Sequence, residues 1–289
     1  MDAFSPRPNA HLDYWFWKFH VGDLAFLVDL IVRRQTGLAE VRVSQWLRRV
    51  GRVVHDETRD WSTSPIDVRI GRTTLQPGRC AGSADDIAWD LSWRAGEVLS
   101  PMRGLIARLE PFDTTLVVWP HATFTGSVQV GAERFELSGL PGTFYHYWGR
   151  RLAHRWIWLS ATHLDGHPDR RVEGLFAARS RLYGRVPYPL PVSLMWTIDG
   201  GRREELVSAV NAMIRVRPDR SRISVDARGV LGARHRLVAS WGDVKPNDIG
   251  EDIIQTMHAD LTIDGVQAAP GTVGLEVRGY PHPLDGVSD

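Results

Sequence analysis

Short segments in which apolar and polar residues alternate, separated by glycine, proline and other turn residues, run through most of the chain. This period of two is typical of β-strands, because successive side chains of a strand point to opposite faces of a sheet. Tyr14–His20 and Leu24–Arg33 are rich in β-favouring residues and flank a turn at Gly22 and Asp23, so they predict a hairpin. The further predicted strands are Leu38–Val43, Asp67–Ile70, Ile87–Trp93, Thr115–Trp119, Ser127–Val130, Glu133–Leu137, Trp156–Thr162, Glu173–Ser180, Val192–Ile198, Arg222–Asp226, Arg236–Trp241, Met257–Ile263 and Val273–Val277.

Helical periodicity is limited to two short segments. A helix is predicted over Glu204–Ile214, because its apolar residues recur at the spacing of one helical face. A second short helix is predicted around Ser44–Val50. The rest of the chain is predicted to form strands and turns. The apolar face of the first helix would consist of Leu206, Val210, Met213 and Ile214.

A dozen or more short strands in 289 residues predict an all-β protein of two barrels or sandwiches, with one or two short helices. A chain of this length is long enough for two domains. Gly139, Pro141 and Gly142 interrupt the strand pattern near the middle of the chain, as a domain boundary requires. We therefore expect an N-terminal β domain of residues 1–142 and a C-terminal β domain of residues 143–289.

The charge balance of the chain argues against nucleic acid as a partner. There are 35 basic and 34 acidic residues, which gives a formal net charge of +1. Leu24–Val32 is the longest apolar stretch, but it contains Asp29 and is too short to cross a bilayer. Met1–Asn9 lacks the apolar core of a signal peptide. We expect a cytoplasmic protein without a transmembrane segment; peripheral contact with a membrane and the oligomeric state stay open.

The sequence predicts neither a metal nor a cofactor. His163 and His167 form a close pair near His154, but their surroundings predict a surface turn and no His-Glu-x-x-His spacing occurs. No glycine-rich nucleotide-binding motif and no Gly-x-Ser-x-Gly elbow is present. Cys80 is the single cysteine, and its Pro-Gly-Arg-Cys-Ala-Gly context predicts a turn. A structural role for Cys80 is favoured over a nucleophilic one.

Tryptophan is unusually frequent, with 12 in the chain, and several tryptophans lie two residues apart. Residues at this spacing share one face of a strand, which in a barrel is either a packing layer or the wall of a cavity. The tryptophans therefore either fill a wide core or form a pocket for a large apolar ligand, in which ring faces also stabilise carbocations. The candidate substrate-binding residues are Trp15, Trp17, Trp89, Trp93, Trp119, Trp148, Trp156 and Trp158.

The densest group of chemistry-bearing side chains lies in the segment from Thr143 to Trp158. His146 can transfer protons near neutral pH, and its neighbours Tyr145 and Tyr147 can donate hydrogen bonds. From these residues alone, a structural histidine is the favoured interpretation and a catalytic histidine is the alternative.

Two motifs in this region resemble those of a known superfamily. Tyr145-His146-Tyr147-Trp148-Gly149 is followed by Trp156-Ile157-Trp158, and Gly274–Gly279 has the sequence Gly-Leu-Glu-Val-Arg-Gly. They are similar to the acid-Lys/His-Asn-Trp-Gly, Trp-x-Trp and closing Glu-Val-Gly-Gly segments of the tocopherol cyclase and carotenoid 1,2-hydratase superfamily. Tyr14–His20 and Ile87–Trp93 are more similar to the carotenoid hydratases of this superfamily than to its cyclases. The segment from Trp148-Gly149 to Trp156-Ile157-Trp158 is the most specific part of the resemblance. The chain resembles a divergent member of the superfamily.

The resemblance implies two lipocalin-like β domains that hold an isoprenoid or polyketide-like substrate, with cofactor-free cyclase, hydratase or isomerase activity. The cyclisations and hydrations begin when an acid protonates a carbon–carbon double bond in a dry aromatic pocket. Tyr145 stands at the family's acid position and Tyr147 at its asparagine position, whereas His146 matches the histidine of the hydratases. The candidate proton donors are therefore His146, Glu276 and Asp90, although both carboxylates could equally lie on outward-facing strand positions.

Two functions from different classes are consistent with these residues. The first is an enzyme of the isomerase or lyase class, in which His146 is the acid/base or orienting group and Tyr145 and Tyr147 assist it. The second is a non-catalytic, lipocalin-like carrier of a hydrophobic metabolite. The replaced family acid favours the carrier, and the polar cluster beside tryptophans favours the enzyme.

Overall fold

The residues described by the computed structural model are 4–100, 114–179, 181–182, 186–187, 191–208 and 210–284. These residues form 25 β-strands and no helix. The chain divides into two compact units. Unit 1 comprises Met1–Arg48 and Arg52–Leu152, and unit 2 comprises Arg49–Gly51 and Ala153–Asp289. The all-β fold class predicted from the alternating pattern is confirmed.

Unit 1 contains one antiparallel sheet of eleven strands. Its strands are β1 (Leu12–Val21), β2 (Leu24–Arg33), β3 (Leu38–Leu47), β4 (Val50–Thr58), β5 (Trp61–Ser64), β6 (Asp67–Ile70), β7 (Thr73–Gln76), β8 (Arg79–Ala84), β9 (Ile87–Arg94), β10 (Thr114–Val130) and β11 (Glu133–Gly149). Across the sheet they follow the order β4-β3-β2-β1-β11-β10-β9-β8-β7-β6-β5. The first and last strands of the unit therefore pair at its centre, while β4 and β5 form its two edges.

The sheet of unit 1 curls towards a barrel. The indole N–H of Trp61, on edge strand β5, donates to the carbonyl of Gly37 in the turn between β2 and β3, at 3.0 Å. Arg34, beside the same turn, lies 3.4 Å from the hydroxyl of Thr63 on β5. Because these contacts join the two halves of the sheet, one of its faces becomes an enclosed interior.

Alternate residues of the central strands fill this interior. Trp15, Trp17 and Phe19 of β1 belong to the apolar core, whereas Phe16 and Lys18 lie on the outer face of the same strand. Full burial of a large apolar side chain stabilises a fold by roughly 1.5–3 kcal/mol, so the aromatic interior holds the curled sheet together. The aromatic residues of the interior are Phe4, Trp15, Trp17, Phe19, Phe26, Trp89, Trp93, Trp119, Phe124, Phe144 and Trp148.

Unit 2 is built from two main sheets and a short strand pair. Its strands are β12 (Arg155–Ala161), β13 (Arg171–Arg179), β14 (Arg181–Leu182), β15 (Val186–Pro187), β16 (Val192–Asp199), β17 (Arg202–Val207), β18 (Ala212–Pro218), β19 (Arg222–Gly229), β20 (Arg234–Ser240), β21 (Asn247–Asp248), β22 (Ile253–Thr256), β23 (Asp260–Ile263), β24 (Val266–Gln267) and β25 (Val273–Arg278). The seven-stranded sheet has the order β17-β16-β13-β12-β25-β22-β21, the five-stranded sheet has the order β18-β19-β20-β23-β24, and β14 pairs with β15. Ile157 and Leu159 of the larger sheet share one apolar core with Val225 and Leu237 of the smaller sheet.

The helix predicted over Glu204–Ile214 is wrong. Apart from residue 209, which lies outside the described residues, this segment forms the end of β17, a turn and the start of β18. The side-chain oxygen of Asn211 accepts the Val207 N–H at 2.7 Å and so fixes the turn. The helical spacing was a coincidence of two strand patterns, because Val210 is 71% exposed instead of joining an apolar face.

The second predicted helix, Ser44–Val50, is also wrong, because the segment forms a hairpin. β3 continues to Leu47, Arg48 and Arg49 have φ angles of 50° and 68°, and β4 begins at Val50. Two successive residues in this left-handed conformation form a tight turn whose twist suits antiparallel strands. The pairing of β3 with β2 continues through the segment and outweighs its helical periodicity.

The residues that suggested a domain boundary after residue 142 lie inside β11, whereas the compact units divide after Leu152. Gly139 and Gly142 lie beside two shifts in the register between β10 and β11. Gly139 has a φ of 63° with open space around it, but a Cβ on Gly142 would lie 2.4 Å from the Lys18 carbonyl oxygen. These glycines therefore serve the pairing of a long strand.

Replacement of Gly142 by alanine should destabilise unit 1 by about 1–3 kcal/mol, because the added Cβ would press on the backbone of β1. The matched control is Gly139→Asn, which adds a side chain in open space and tolerates a positive φ. Urea unfolding followed by tryptophan fluorescence measures both. Equal stability of the two variants would contradict the close approach of β1 and β11 at Gly142.

Candidate functional site

The pairing of β1 with β11 places His146 in the aromatic interior of unit 1. His146 lies directly opposite Trp15, and Phe144 lies opposite Trp17. The imidazole is fully buried, with its ring centroid 4.7 Å from that of Trp15 at an interplanar angle of 10°. The Trp148 ring lies 4.8 Å from the imidazole on the same strand. The predicted histidine and two of the predicted tryptophans, Trp15 and Trp148, are therefore brought together.

The carboxylate beside His146 comes from Asp13, which sequence reasoning missed. Asp13 Oδ1 lies 3.2 Å from His146 Nε2, and both side chains have no exposed surface. Asp13 Oδ2 accepts from the guanidinium of Arg34 at 2.7 Å and from the backbone N–H of Arg7 at 3.0 Å. The signal was present, since Asp13 precedes Trp15 by two residues and so shares its face.

The Asp13–His146 pair has the geometry of a proton-transfer group. A neighbouring carboxylate fixes the orientation of an imidazole ring. The Arg34 guanidinium donates to the other oxygen of the same carboxylate, so Asp13 holds both side chains in place. The tryptophan rings around the pair present faces that attract positive charge.

Tyr145 and Tyr147 point away from His146, because neighbouring residues of a strand lie on opposite faces. On the opposite face of the sheet, the Tyr145 ring stacks on Phe16 with centroids 4.0 Å apart, and both side chains are buried. Tyr147 meets Tyr14 edge-on with centroids 6.2 Å apart. The structure therefore does not bring the predicted Tyr-His-Tyr group together at one site.

Trp89, Trp93 and Trp119 also lie in the interior of unit 1. Trp93 and Trp119 meet edge-on, with ring centroids 6.4 Å apart. Asp90, between Trp89 and Trp93 in the sequence, faces the other way. Its side chain is 63% exposed and forms an ion pair with Arg79 at 3.2 Å. This candidate proton donor is thus separated from the tryptophans that flank it.

In unit 2 the predicted residues Trp156, Trp158 and Glu276 lie together. Ile157 and Leu159 of β12 enter the apolar core, so the tryptophans between and beside them lie on the opposite face of the seven-stranded sheet. The Trp156 indole N–H donates to Glu276 Oε1 at 2.6 Å. Trp158 pairs directly with Glu276 across β12 and β25.

Four further residues of this face were missed from the sequence. Gln255 donates to Glu276 Oε2 at 2.8 Å, so both oxygens of this carboxylate accept a hydrogen bond. Ser160 donates at 2.8 Å to Glu173, which is 1% exposed and pairs with Trp196 across β13 and β16. We refer to Trp156, Trp158, Trp196, Glu173 and Glu276 as the tryptophan–glutamate face. Glu173 interrupts an otherwise apolar strand, which was the signal for it.

Other candidate chemistry is absent from the described residues or disfavoured. None of the histidine, cysteine and carboxylate residues that the structure describes form a group of three able to hold a metal ion. Cys80 lies on β8 and not in a turn, and burial raises the pKa of its thiol well above the ordinary value. The reactive thiolate is therefore disfavoured. Within the described part of the chain, no helix has the length and apolarity to cross a membrane.

The fold and its sites define an all-β protein in which each of two units buries tryptophans beside a carboxylate. No protein-family model matches the chain. A curated relative in Mycobacterium tuberculosis, the uncharacterized protein Rv0493c of strain H37Rv and MT0513 of strain CDC 1551, is 29% identical over 174 residues. The match covers 54% of this chain and 53% of the relative, so the chain spans about half the length of the curated relatives it matches.

Two solved structures share the fold over nearly the whole chain. One is a protein of Nitrosomonas europaea assigned as AttH (NE1406), with a TM-score of 0.68, 14% identity and coverage of 96% of this chain and 95% of that one. The other is kievitone hydratase from Nectria haematococca, with a TM-score of 0.61, 12% identity and coverage of 95% and 90%. At these identities the likeness shows a common fold, which a hydratase also uses.

Replacement of Asp13 by asparagine should lower the free energy of unfolding by about 3 kcal/mol, because it leaves the Arg34 guanidinium beside β1 without its buried carboxylate. The control, Asp90→Asn, removes an exposed ion pair and should change stability by less than about 1 kcal/mol. Chemical denaturation of the two variants gives both values. Equally small losses of unfolding free energy in the two variants would show that the contacts of Asp13 with Arg34 and His146 do not stabilise unit 1.

Proposed function

We propose that the chain is a cofactor-free enzyme of the hydratase or cyclase kind, which binds an unsaturated apolar small molecule against the tryptophan–glutamate face of unit 2. The observation that carries the proposal is Glu276, a carboxyl group buried to 9% exposure between tryptophans and held by two neutral donors. Isoprenoid and polyketide-like molecules are the substrate class.

The position of Glu276 is unfavourable for a purely structural residue. A buried charge is expensive unless partners compensate it, and an apolar residue at the same strand position would avoid that penalty. The donors Trp156 and Gln255 hold its carboxyl group in one orientation. A carboxyl group held in one orientation can exchange a proton with a substrate at one defined point.

The tryptophans of the face supply the second requirement of the reaction. When a proton from Glu276 adds to one alkene carbon, the other alkene carbon becomes cationic. The indole rings of Trp156 and Trp158 stabilise a cation beside them. Trp196 adds a buried indole N–H that has no hydrogen-bond partner in the described part of the chain, and this N–H can donate to an oxygen of the substrate.

Two outcomes follow from the same cation. In a hydration, the oxygen of water bonds to the cationic carbon and its extra proton returns to Glu276, so that one water molecule is added without oxidation or reduction. In a cyclisation, a second double bond attacks the cation, and loss of a proton to the carboxylate restores an alkene. The resemblance of Trp148-Gly149 and Trp156–Trp158 to the tocopherol cyclase and carotenoid 1,2-hydratase superfamily supports this choice of reactions, as does the fold shared with kievitone hydratase.

The Asp13–His146 pair of unit 1 is a second candidate for proton transfer within the same proposal. It combines a carboxylate, an imidazole and an aromatic enclosure, and an imidazolium can also protonate an alkene. Tyr145 and Tyr147, on the outer face, would then act only indirectly.

A non-catalytic carrier is the alternative function. It is favoured by one observation: both oxygens of Glu276 already accept hydrogen bonds from the protein, as in a structural carboxylate. A carrier would use the same tryptophans to hold a hydrophobic metabolite and would release it unchanged.

The proposal predicts that Glu276→Gln reduces turnover by roughly 10²–10⁴-fold while ligand retention is kept, because the amide preserves the shape but cannot cycle a proton. The assay is incubation of the protein with a lipid extract of the producing cell in D₂O, followed by mass spectrometry. Hydration adds the mass of D₂O to a substrate, and cyclisation exchanges one hydrogen for deuterium.

Two variants complete this experiment. Asp226→Asn changes a carboxylate on β19 that faces Arg217 near the surface, and it should keep full turnover. His146→Gln tests the Asp13–His146 pair. If His146→Gln abolishes turnover while Glu276→Gln remains active, the proton transfer takes place in unit 1. An extract ligand that is retained by native mass spectrometry but never acquires deuterium would leave the carrier as the function.

A further inference from the structure

Phe4 occupies the aromatic interior of unit 1 although it belongs to no strand. Its side chain is 3% exposed, and its ring centroid lies 5.9 Å from that of Trp93 and 6.3 Å from that of Phe144. Its backbone carbonyl accepts the indole N–H of Trp15 at 3.1 Å. A flat ring and a carbonyl oxygen from outside the sheet thus fill a place among the interior tryptophans.

The rest of this segment lies along the same group of side chains. The guanidinium of Arg7 stands 4.6 Å above the Trp148 ring, and the backbone N–H of Arg7 donates to Asp13 at 3.0 Å. The Ala10 N–H donates to the Arg7 carbonyl at 2.9 Å. These are side-chain and local contacts, in contrast to the continuous ladders that join the strands, so the segment 4–10 can leave without breaking the sheet.

The interior also contains buried hydrogen-bond donors that find no acceptor in the described part of the chain. The indole N–H groups of Trp17 and Trp89 are buried and have no partner among the residues that the structure describes. The hydroxyl of Thr73 is in the same condition. A Cβ on Gly82 would lie 2.4 Å from the Thr73 hydroxyl and 2.7 Å from the Trp89 ring, so both groups cover one glycine of β8.

A buried donor without an acceptor destabilises a protein by roughly 1–3 kcal/mol, and native structures rarely tolerate several. The oxygen of a ligand would satisfy such donors. Phe4 already brings both groups into this interior: its backbone carbonyl accepts the Trp15 N–H, and its aromatic ring lies beside Trp93. Indole rings on the walls favour a flat, conjugated partner.

We infer that the interior of unit 1 is a second small-molecule site, for flat aromatic or conjugated carbonyl compounds, and that the segment 4–10 is its built-in occupant, displaced when such a compound binds. The buried indole N–H groups of Trp17 and Trp89 are the candidate donors to the carbonyl oxygen of the ligand. This site uses none of the tryptophan–glutamate face and does not depend on the proposed reaction of Glu276.

The test uses 2-acetylnaphthalene as probe and 2-ethylnaphthalene as its analogue without a carbonyl, with binding measured by quenching of tryptophan fluorescence and by calorimetry. The whole chain should bind the acetyl compound more tightly than the ethyl compound. Phe4→Ala should strengthen binding of the acetyl probe by about tenfold, because it removes the competing occupant. Phe4→Leu, which keeps most of the volume, should strengthen it less.

The donors are tested by Trp17→Phe and Trp89→Phe, which keep an aromatic ring and remove the N–H. Each should reduce the preference for the acetyl over the ethyl compound. Trp241→Phe is the matched control, since Trp241 in unit 2 also has a buried indole N–H without a partner in the described residues. Neither Trp241→Phe nor Glu276→Gln should change binding, and this separates the site from the tryptophan–glutamate face of unit 2.

Hydrogen exchange on the unmodified chain tests the displacement directly. Saturation with 2-acetylnaphthalene should speed exchange of the Arg7 and Ala10 amides. Tight binding without faster exchange there would overturn the role of the segment. Two results would overturn the site. One is equal binding of the two naphthalenes in every variant, because the donors would then contribute nothing. The other is binding that appears only after Phe4→Ala, because the substitution itself would then have made the cavity.

Discussion

The antiparallel register between β1 and β11 is the constraint on which the chemistry of unit 1 depends. It sets Trp15 opposite His146 and Trp17 opposite Phe144, with Asp13 at the next inward position of β1. Because side chains alternate between the two faces, a slip of one residue in β11 would turn His146 to the other face, and a slip in β1 would turn Asp13, so either slip would separate the two side chains. The aromatic pairs on the inner face therefore define both the fold of unit 1 and the place of its buried ions.

The same alternation divides unit 2 into an apolar and a polar layer. Residues of β12 that face the smaller sheet are aliphatic, and those on the other face are Trp156, Trp158 and Ser160. Glu173 and Glu276 join that second face from the two neighbouring strands. Two buried carboxylates on one sheet face are a large penalty, offset in part by hydrogen bonds from indole, amide and hydroxyl groups. Such an arrangement favours a site that acts on or binds a ligand.

Much of the fold was predictable from the sequence, because period-two alternation is a local property. The hairpin of Tyr14–His20 with Leu24–Arg33 and most other strands were found in this way. Both predicted helices failed because their helical spacing extended over only a few residues, and pairing with neighbouring strands outweighed it. The opposite directions of His146 and Tyr145 were not predicted, because the predicted strand ended at Leu137, whereas β11 continues to Gly149 and imposes the period of two on this segment.

The partners within the sites could not be predicted, since they depend on which strands become neighbours. Asp13 and His146 are 133 residues apart in the chain, and Trp156 and Glu276 are 120 apart. The pairing of β1 with β11 and of β12 with β25 brings them together. A family resemblance located His146, Trp156 and Glu276, but it gave no indication of Asp13, because the carboxylate stands on a different strand from the motif.

The most direct test of the account is a crystal structure of the chain grown with a saturating isoprenoid alcohol, such as geranylgeraniol. If the tryptophan–glutamate face binds the substrate, electron density for the isoprenoid chain should lie against the rings of Trp156 and Trp158, with a double bond or the hydroxyl group within reach of Glu276. Density for the ligand only at other places, or a tryptophan–glutamate face that stays empty at saturation, would contradict it.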